Sequence, residues 1–154
     1  MDEIDKKILE ELQKNASIPL SELSKKVGLS NTPCWNRIKK LEEDKVILSK
    51  TVVLDNKKIN LPITVFLSIS IQNHSEKWLT NFKRVVKKYD EITEVHRLTG
   101  TNSDYQITIL SPSIDEYDKF QQNLIKEIEC TYMSSHISLQ VIKQSHKLPL
   151  TYVN

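Results

Sequence analysis

Residues 2–14 place Ile4, Ile8, Leu9 and Leu12 on one stripe, the spacing of an amphipathic helix. Asp2 is positioned to cap its start, and Asp5 adds negative charge to the first turn, where the helix dipole favours it. The stretch NASIP ends this helix, and Pro19 suits the first turn of the next, where its missing N–H costs nothing. Residues 20–27, LSELSKKV, turn Leu20, Leu23 and Val27 to one side. Gly28 follows as the expected left-handed stop, Leu29 plugs the core, and Ser30 is placed to cap a third helix. In that helix Cys34, Ile38 and Leu41 fall at i, i+4 and i+7 and form the buried stripe. Pro33 lies in its first turn, so it removes no hydrogen bond and stiffens the entry.

A helix, a short turn containing glycine and a second helix make a helix-turn-helix, whose second helix is the candidate reader of a DNA major groove. Downstream, KVILSKTVVLD alternates loosely through Val46, Leu48, Val52 and Leu54, long enough for a two-stranded hairpin, a wing, with Lys50 available to phosphate. NKKINLP then reads as a linker. The period changes after it. Residues 63–71 alternate as a strand, with Val65, Leu67, Ile69 and Ile71 on one face. Residues 75–89 are helical, with Leu79, Phe82, Val86 and Tyr89 inward and Trp78 nearby. Residues 92–99 and 105–111 read as strands around the turn GTNSD. Ser113 and Glu116 form a capping box for a helix through Ile128 that buries Tyr117, Phe120, Leu124 and Ile128. Residues 133–143 alternate again through Ile137, Leu139 and Val141.

The order is βαββαβ, a ferredoxin-like arrangement, so the fold class is α+β. The expected domains are a winged helix-turn-helix over 1–55, a hinge over 56–62 and the ferredoxin-like domain over 63–154. Such a sheet has helices on one face only. The alternation of its strands argues that a second copy covers the other face, giving a homodimer.

Composition narrows the class. The 154 residues are 38% hydrophobic and 27% charged, as in a soluble globular protein. No apolar run approaches the roughly 18 residues that span a bilayer, and MDEIDKK has no signal-peptide core, so no membrane partner is expected and the cytoplasm is the expected compartment. Cys34 and Cys130 lie far apart, and His74, His96, His136 and His146 are scattered, a spacing that argues against a disulfide and against a zinc site. The net charge of +2 says less than its distribution. Between Glu22 and Glu42 stand Lys25, Lys26, Arg37, Lys39 and Lys40 with no acid among them, a local footprint for a polyanion or else a solvated helix face.

The third helix carries the candidate chemistry. Opposite its buried stripe lie Asn31, Thr32, Trp35, Asn36, Lys39 and Lys40, with Ser30 at its start. Amides and hydroxyls near a helix N-terminus can read base edges, and free N–H groups there suit a phosphate. Arg37 sits to one side, where it either clamps a phosphate or braces the domain. Trp35 either meets DNA or packs against a neighbouring helix or a partner.

Four motifs in order resemble the Lrp/AsnC (feast/famine) transcription regulators over essentially the full chain. They are MDEIDKKILEELQ, LSELSKKVGLSNTPCWNRIKKLEEDKVI in the TPC-W form close to the leucine-responsive branch, the hinge VLDNKKIN, and LTGTNSDYQITI. The resemblance implies a winged helix-turn-helix bound to double-stranded DNA, paired ferredoxin-like sheets, dimers that assemble as far as octamers, and small effectors, commonly amino acids, near the family's G-x-x-D-Y turn. Carried onto this chain, the recognition positions are Ser30, Asn31, Thr32, Trp35, Asn36, Arg37 and Lys40, and Lys39 of the exposed helix face and Lys50 of the wing complete the expected DNA contacts. The effector turn is Gly100, Thr101, Asn102, Ser103, Asp104 and Tyr105. Its chemistry has its own logic, since an amino acid needs N–H groups for its carboxylate and an acid such as Asp104 for its ammonium. The alternative is that Gly100 and Asp104 merely shape a β-turn.

Three positions depart from the family pattern. The wing glycine is Lys45, the hinge glycine is Asn60, and the effector turn is one residue longer. Two other functional classes compete with the regulator. Siroheme decarboxylases share the architecture and use His and Arg around a tetrapyrrole, but His96 and Arg97 are adjacent on a strand and point to opposite faces. There are no paired carboxylates, no nucleophile beside a base and no phosphate-binding glycine loop, the chain having only two glycines. A pure interaction module with a vestigial helix-turn-helix would not need the basic face. The expectation is a sequence-specific DNA-binding regulator responsive to a small effector, with no catalytic residues, cofactor or metal.

Overall fold

The computed structural model describes residues 1–100 and 103–153. The chain folds as two units, Met1–Val53 together with Ile142–Asn154, and Leu54–Val141. The first unit therefore gathers both ends of the chain.

In the first unit, α1 (Glu3–Lys14), α2 (Leu20–Val27) and α3 (Asn31–Glu43) meet around Ile8, Leu9, Leu23, Val27, Cys34, Ile38 and Leu41. Asp2 closes a full capping box with Asp5 at the start of α1. Gly28 stops α2 in the left-handed conformation, φ 74°, and its turn is tied by Leu29 N–H to the Ser24 carbonyl at 2.8 Å. Ser30 occupies the cap position of α3, but its side chain makes no capping hydrogen bond. Cys34 is fully buried, a small core residue rather than a nucleophile, and burial pushes its thiol pKa up.

The expected wing is not formed. Residues 48–54 pair in no strand. The N–H groups of Val46 and Ile47, which a first wing strand would need, both donate to the Leu41 carbonyl and close the end of α3. The segment also has no tight-turn dipeptide, and Lys50 is drawn back onto Glu42 at 2.9 Å. Lys45 and Asn60, the two residues in place of family glycines, both adopt positive φ, 57° and 63°.

The second unit contains β1 (Ile63–Ser70), α4 (Glu76–Val86), β2 (Ile92–Arg97), β3 (Tyr105–Ser111), α5 (Ile114–Glu127) and β4 (Tyr132–Ile137). The sheet order is β2-β3-β1-β4 with every neighbouring pair antiparallel. This is the ferredoxin-like arrangement. Val65, Leu67 and Ile69 of β1 and Tyr105, Ile107 and Ile109 of β3 meet Phe82, Val85, Tyr117, Phe120 and Leu124 of the helices. Burying each large apolar side chain stabilises by about 1.5–3 kcal/mol. On α4 it is Val85, not Val86, that is fully buried. β4 ends at Ile137, six residues before the alternation ends, and Leu139, Val141 and Ile142 are exposed.

The alternating apolar set is thus spent on the unit's own helices. The open face, with Phe66, Ser68, Gln106, Thr108 and Leu110, is mixed in polarity and half-buried. His96 and Arg97 lie opposite Gln106 and Tyr105 and so point to opposite faces.

Candidate nucleic-acid interface and effector turn

Folding of α3 over Cys34, Ile38 and Leu41 leaves Asn31, Thr32, Trp35, Asn36, Lys39 and Lys40 exposed together, with Ser30 exposed just before them. The turn locks the start of this face. Ser24, buried on α2, donates its hydroxyl to Asn31 Oδ1 at 2.7 Å. The Asn31 amide NH₂ is thereby left to donate outward. Trp35 is 49% exposed, and Lys39 Nζ lies 5.7 Å from its ring centroid, a cation–π contact that steadies the indole without burying it.

The acids that flank the basic stretch in sequence fold back onto it. Arg37 Nη1 donates to Asp2 Oδ2 and Asp5 Oδ1, both at 2.7 Å, so Arg37 braces α3 to α1. The N–H of Asp5 and then the Arg37 guanidinium hold the Asp2 carboxyl below its usual range. Lys26 pairs with Glu11 and Glu22, each at 3.1 Å. Glu42 collects Lys50 at 2.9 Å and Lys39 at 3.3 Å, and these cations lower its pKa. Lys25 and Lys40 have no carboxylate partner among the described residues. Sequence spacing identified the cations but not these partners, because Asp2 and Asp5 are 35 and 32 residues from Arg37.

At the second site, Thr101 and Asn102 lie outside the described residues. Gly100 has φ 145°, open to glycine alone. Asp104 is built into the sheet end. Its N–H donates to the Ile69 carbonyl and its carbonyl accepts from Leu98 N–H, both at 2.8 Å. Its Oδ2 accepts from Ile71 N–H at 2.8 Å, while Oδ1 lies 3.5 Å from His74 Nε2. The Asp104 side chain remains 30% exposed. Asp104 therefore shapes the turn and still presents charge. Tyr105 is buried, packed with Trp78 and Phe82 at centroid distances of 5.4 and 4.9 Å, and serves the core. His74 was not singled out by the sequence, where it is one of four scattered histidines.

A helix-turn-helix with an exposed polar face, in one chain with a ferredoxin-like unit, is the architecture of a DNA-binding transcription regulator modulated by a small effector. Residues 1–47 match the winged helix-turn-helix DNA-binding model, and residues 64–148 match the Lrp/AsnC ligand binding domain. The chain belongs to the Lrp/AsnC feast/famine family. It is 41% identical over 150 residues to the glutamate uptake regulatory protein of Zymomonas mobilis, covering 97% of this chain and 91% of that one. An AsnC family transcriptional regulator from Agrobacterium tumefaciens superposes with a TM-score of 0.95 at 42% identity, covering 100% of both chains. A transcriptional regulator from Neisseria meningitidis, solved as a complex with L-Met, superposes with a TM-score of 0.93 at 28% identity over 100% of this chain and 99% of that one. The family match makes the chain a transcription regulator. Among the described residues no helix is long and apolar enough to cross a membrane, and no His/Cys/Asp/Glu group could hold a metal.

Proposed function

We propose that this chain reads duplex DNA as a homodimer through α3, and that an amino acid seated against the turn Gly100–Tyr105 changes that binding. The reading residues are Asn31, Thr32, Trp35, Asn36 and Lys40, with Ser30 at the helix start. Arg37 acts as a brace, and Lys39 and Lys50 reach phosphate only by giving up Glu42. The observation that carries this reading is the segregation on α3, where every apolar residue of the stripe is buried and amides, hydroxyl, indole and ammonium groups share the exposed side. A second copy covering the open face of the sheet would bury Phe66 and Leu110 and give one assembly two α3 helices for one duplex. Their half-sites then lie about 10 bp, or a multiple, apart. Assembly of such dimers toward octamers follows the family pattern.

For the effector, Asp104 Oδ1 suits an ammonium group, and its other oxygen is already held by the Ile71 N–H. The relative bound to L-Met supports an amino acid as the ligand class. The test titrates each of the common amino acids into a protein–DNA complex and follows fluorescence anisotropy. At least one shifts binding of the wild-type chain. Asp104→Asn keeps an acceptor for Ile71 but removes the charge, so its response is lost. A wild-type response retained in Asp104→Asn would place the effector elsewhere.

A further inference from the structure

The chain enters the second unit at Leu54 and leaves it at Val141, and the remaining segment returns to the DNA-binding unit. Gln13 on α1 seats it. Leu148 N–H donates to Gln13 Oε1 at 2.6 Å, and Gln13 Nε2 donates to the Leu148 carbonyl at 3.3 Å, so one amide side chain reads both polar groups of one backbone residue. Two residues on, Leu150 packs on the cluster that contains Ile8, Leu23 and Cys34. The segment is thus fastened by a two-point hydrogen bond and an apolar anchor.

Its charge is one-sided. After Glu129 the sequence contains no Asp or Glu, while Lys143, His146 and Lys147 stand just before the anchor. Lys143 and Lys147 are exposed and have no carboxylate partner among the described residues. Among the cations of residues 1–53, only Lys7, Lys25, Lys40 and Lys45 have no carboxylate partner among the described residues, so two further free lysines add substantially to that set. Lys6, Lys14, Lys26, Arg37, Lys39 and Lys50 all pair with acids. A cation already paired gains little by exchanging a carboxylate for a phosphate, whereas a free lysine releases a DNA counterion for each phosphate it neutralises.

The geometry points to the C-terminal segment 143–150 being a basic arm of the DNA-binding unit, seated by Gln13 and Leu150, that adds Lys143 and Lys147 to the contacts with DNA phosphates. This rests on the DNA-binding reading and supplies its sequence-independent part.

The test uses the full chain and a random-sequence duplex, whose binding is electrostatic, at several salt concentrations. Wild-type binding that strengthens with falling salt establishes DNA binding itself, and its absence would count against that reading rather than against the arm. Lys143→Ala/Lys147→Ala changes two exposed side chains and makes the log–log salt slope shallower by up to about 1.8, at about 0.9 per phosphate. Gln13→Ala/Leu150→Ser leaves both lysines in place but unseats the arm, and reduces the slope as well, with folding checked by circular dichroism. A wild-type slope in the double lysine variant overturns the arm. A wild-type slope in the folded unseating variant overturns the seat. If the unseating variant does not fold, the lysine variant alone decides.

Discussion

Ser24 and Asn31 are joined by a 2.7 Å hydrogen bond across the turn between α2 and α3, with the Ser24 side chain buried and the Asn31 side chain at the head of the exposed face. The bond fixes which way the amide faces, oxygen inward and NH₂ outward. On the proposed reading, Asn31 meets DNA as a donor, suited to base acceptors such as guanine N7 and O6 or thymine O4. Ser24→Ala removes the tether. The expected cost to stability is about 1 kcal/mol in urea unfolding. The expected functional effect is a several-fold fall in the ratio of specific to non-specific DNA affinity, measured by competition. An unchanged ratio would show that Asn31 does not need the tether.

Arg37 and Lys40 lie three residues apart on α3 and are predicted to behave differently. Arg37 is held by Asp2 and Asp5, whereas Lys40 has no carboxylate partner among the described residues. Lys40→Ala is expected to reduce the salt slope of DNA binding by about 0.9. Arg37→Gln is expected to leave that slope unchanged and to lower the thermal midpoint, because it frees α3 from α1. Anisotropy titrations at three salt concentrations and a melting curve separate the two.

Acid should loosen the first unit in a defined window. The carboxyls of Asp2, Glu11 and Glu42 are held below their ordinary values of 3.8, 4.5 and 4.5. The causes are the Asp5 N–H and Arg37, Lys14 and Lys26, and Lys50 and Lys39 respectively. A depressed folded-state pKa contributes stability that is complete above the unfolded value and is lost as pH falls through the folded one. The unfolding midpoint is therefore expected to fall progressively below about pH 4.5. Raised salt should flatten the dependence, since these pairs are exposed and screened. A midpoint indifferent to pH down to about 3 would show that the pairs contribute nothing.

Lys45 and Asn60 hold positive φ where a side chain is strained. Lys45→Gly is expected to raise stability by about 1 kcal/mol and Asn60→Gly by less, because Asn tolerates this conformation better. Chemical denaturation of the single variants measures both. Destabilisation by Lys45→Gly would mean that the entropy glycine adds to the unfolded chain outweighs the relief.

Much of the fold was legible because periodicity reports burial directly. The stripe Cys34, Ile38, Leu41 and the set Tyr117, Phe120, Leu124, Ile128 are both buried as spaced. The stop at Gly28 and the cap at Asp2 depend on a few adjacent residues and could be read locally. What could not be read depends on distant partners. The alternation over 46–54 looks like a hairpin, but its first donors are taken by Leu41, and nothing in the spacing signals that. The ion pairs of Arg37 and the seat of Leu148 on Gln13, 135 residues away, arise only from tertiary contact. At the turn before β3, motif spacing singled out Asp104 as a candidate, while the burial of Tyr105 and the approach of His74 needed the sheet.

The exposed face of α3 as the reader of sequence is tested most directly by a binding experiment. A duplex selected from a random pool by the wild-type protein is compared with a shuffled duplex of equal composition, using fluorescence anisotropy at two salt concentrations. The wild-type chain should prefer the selected duplex. Thr32→Ala/Asn36→Ala should abolish that preference while retaining salt-dependent binding to both duplexes, because the phosphate contacts remain. A double variant that keeps the full wild-type preference would contradict α3 as the reader.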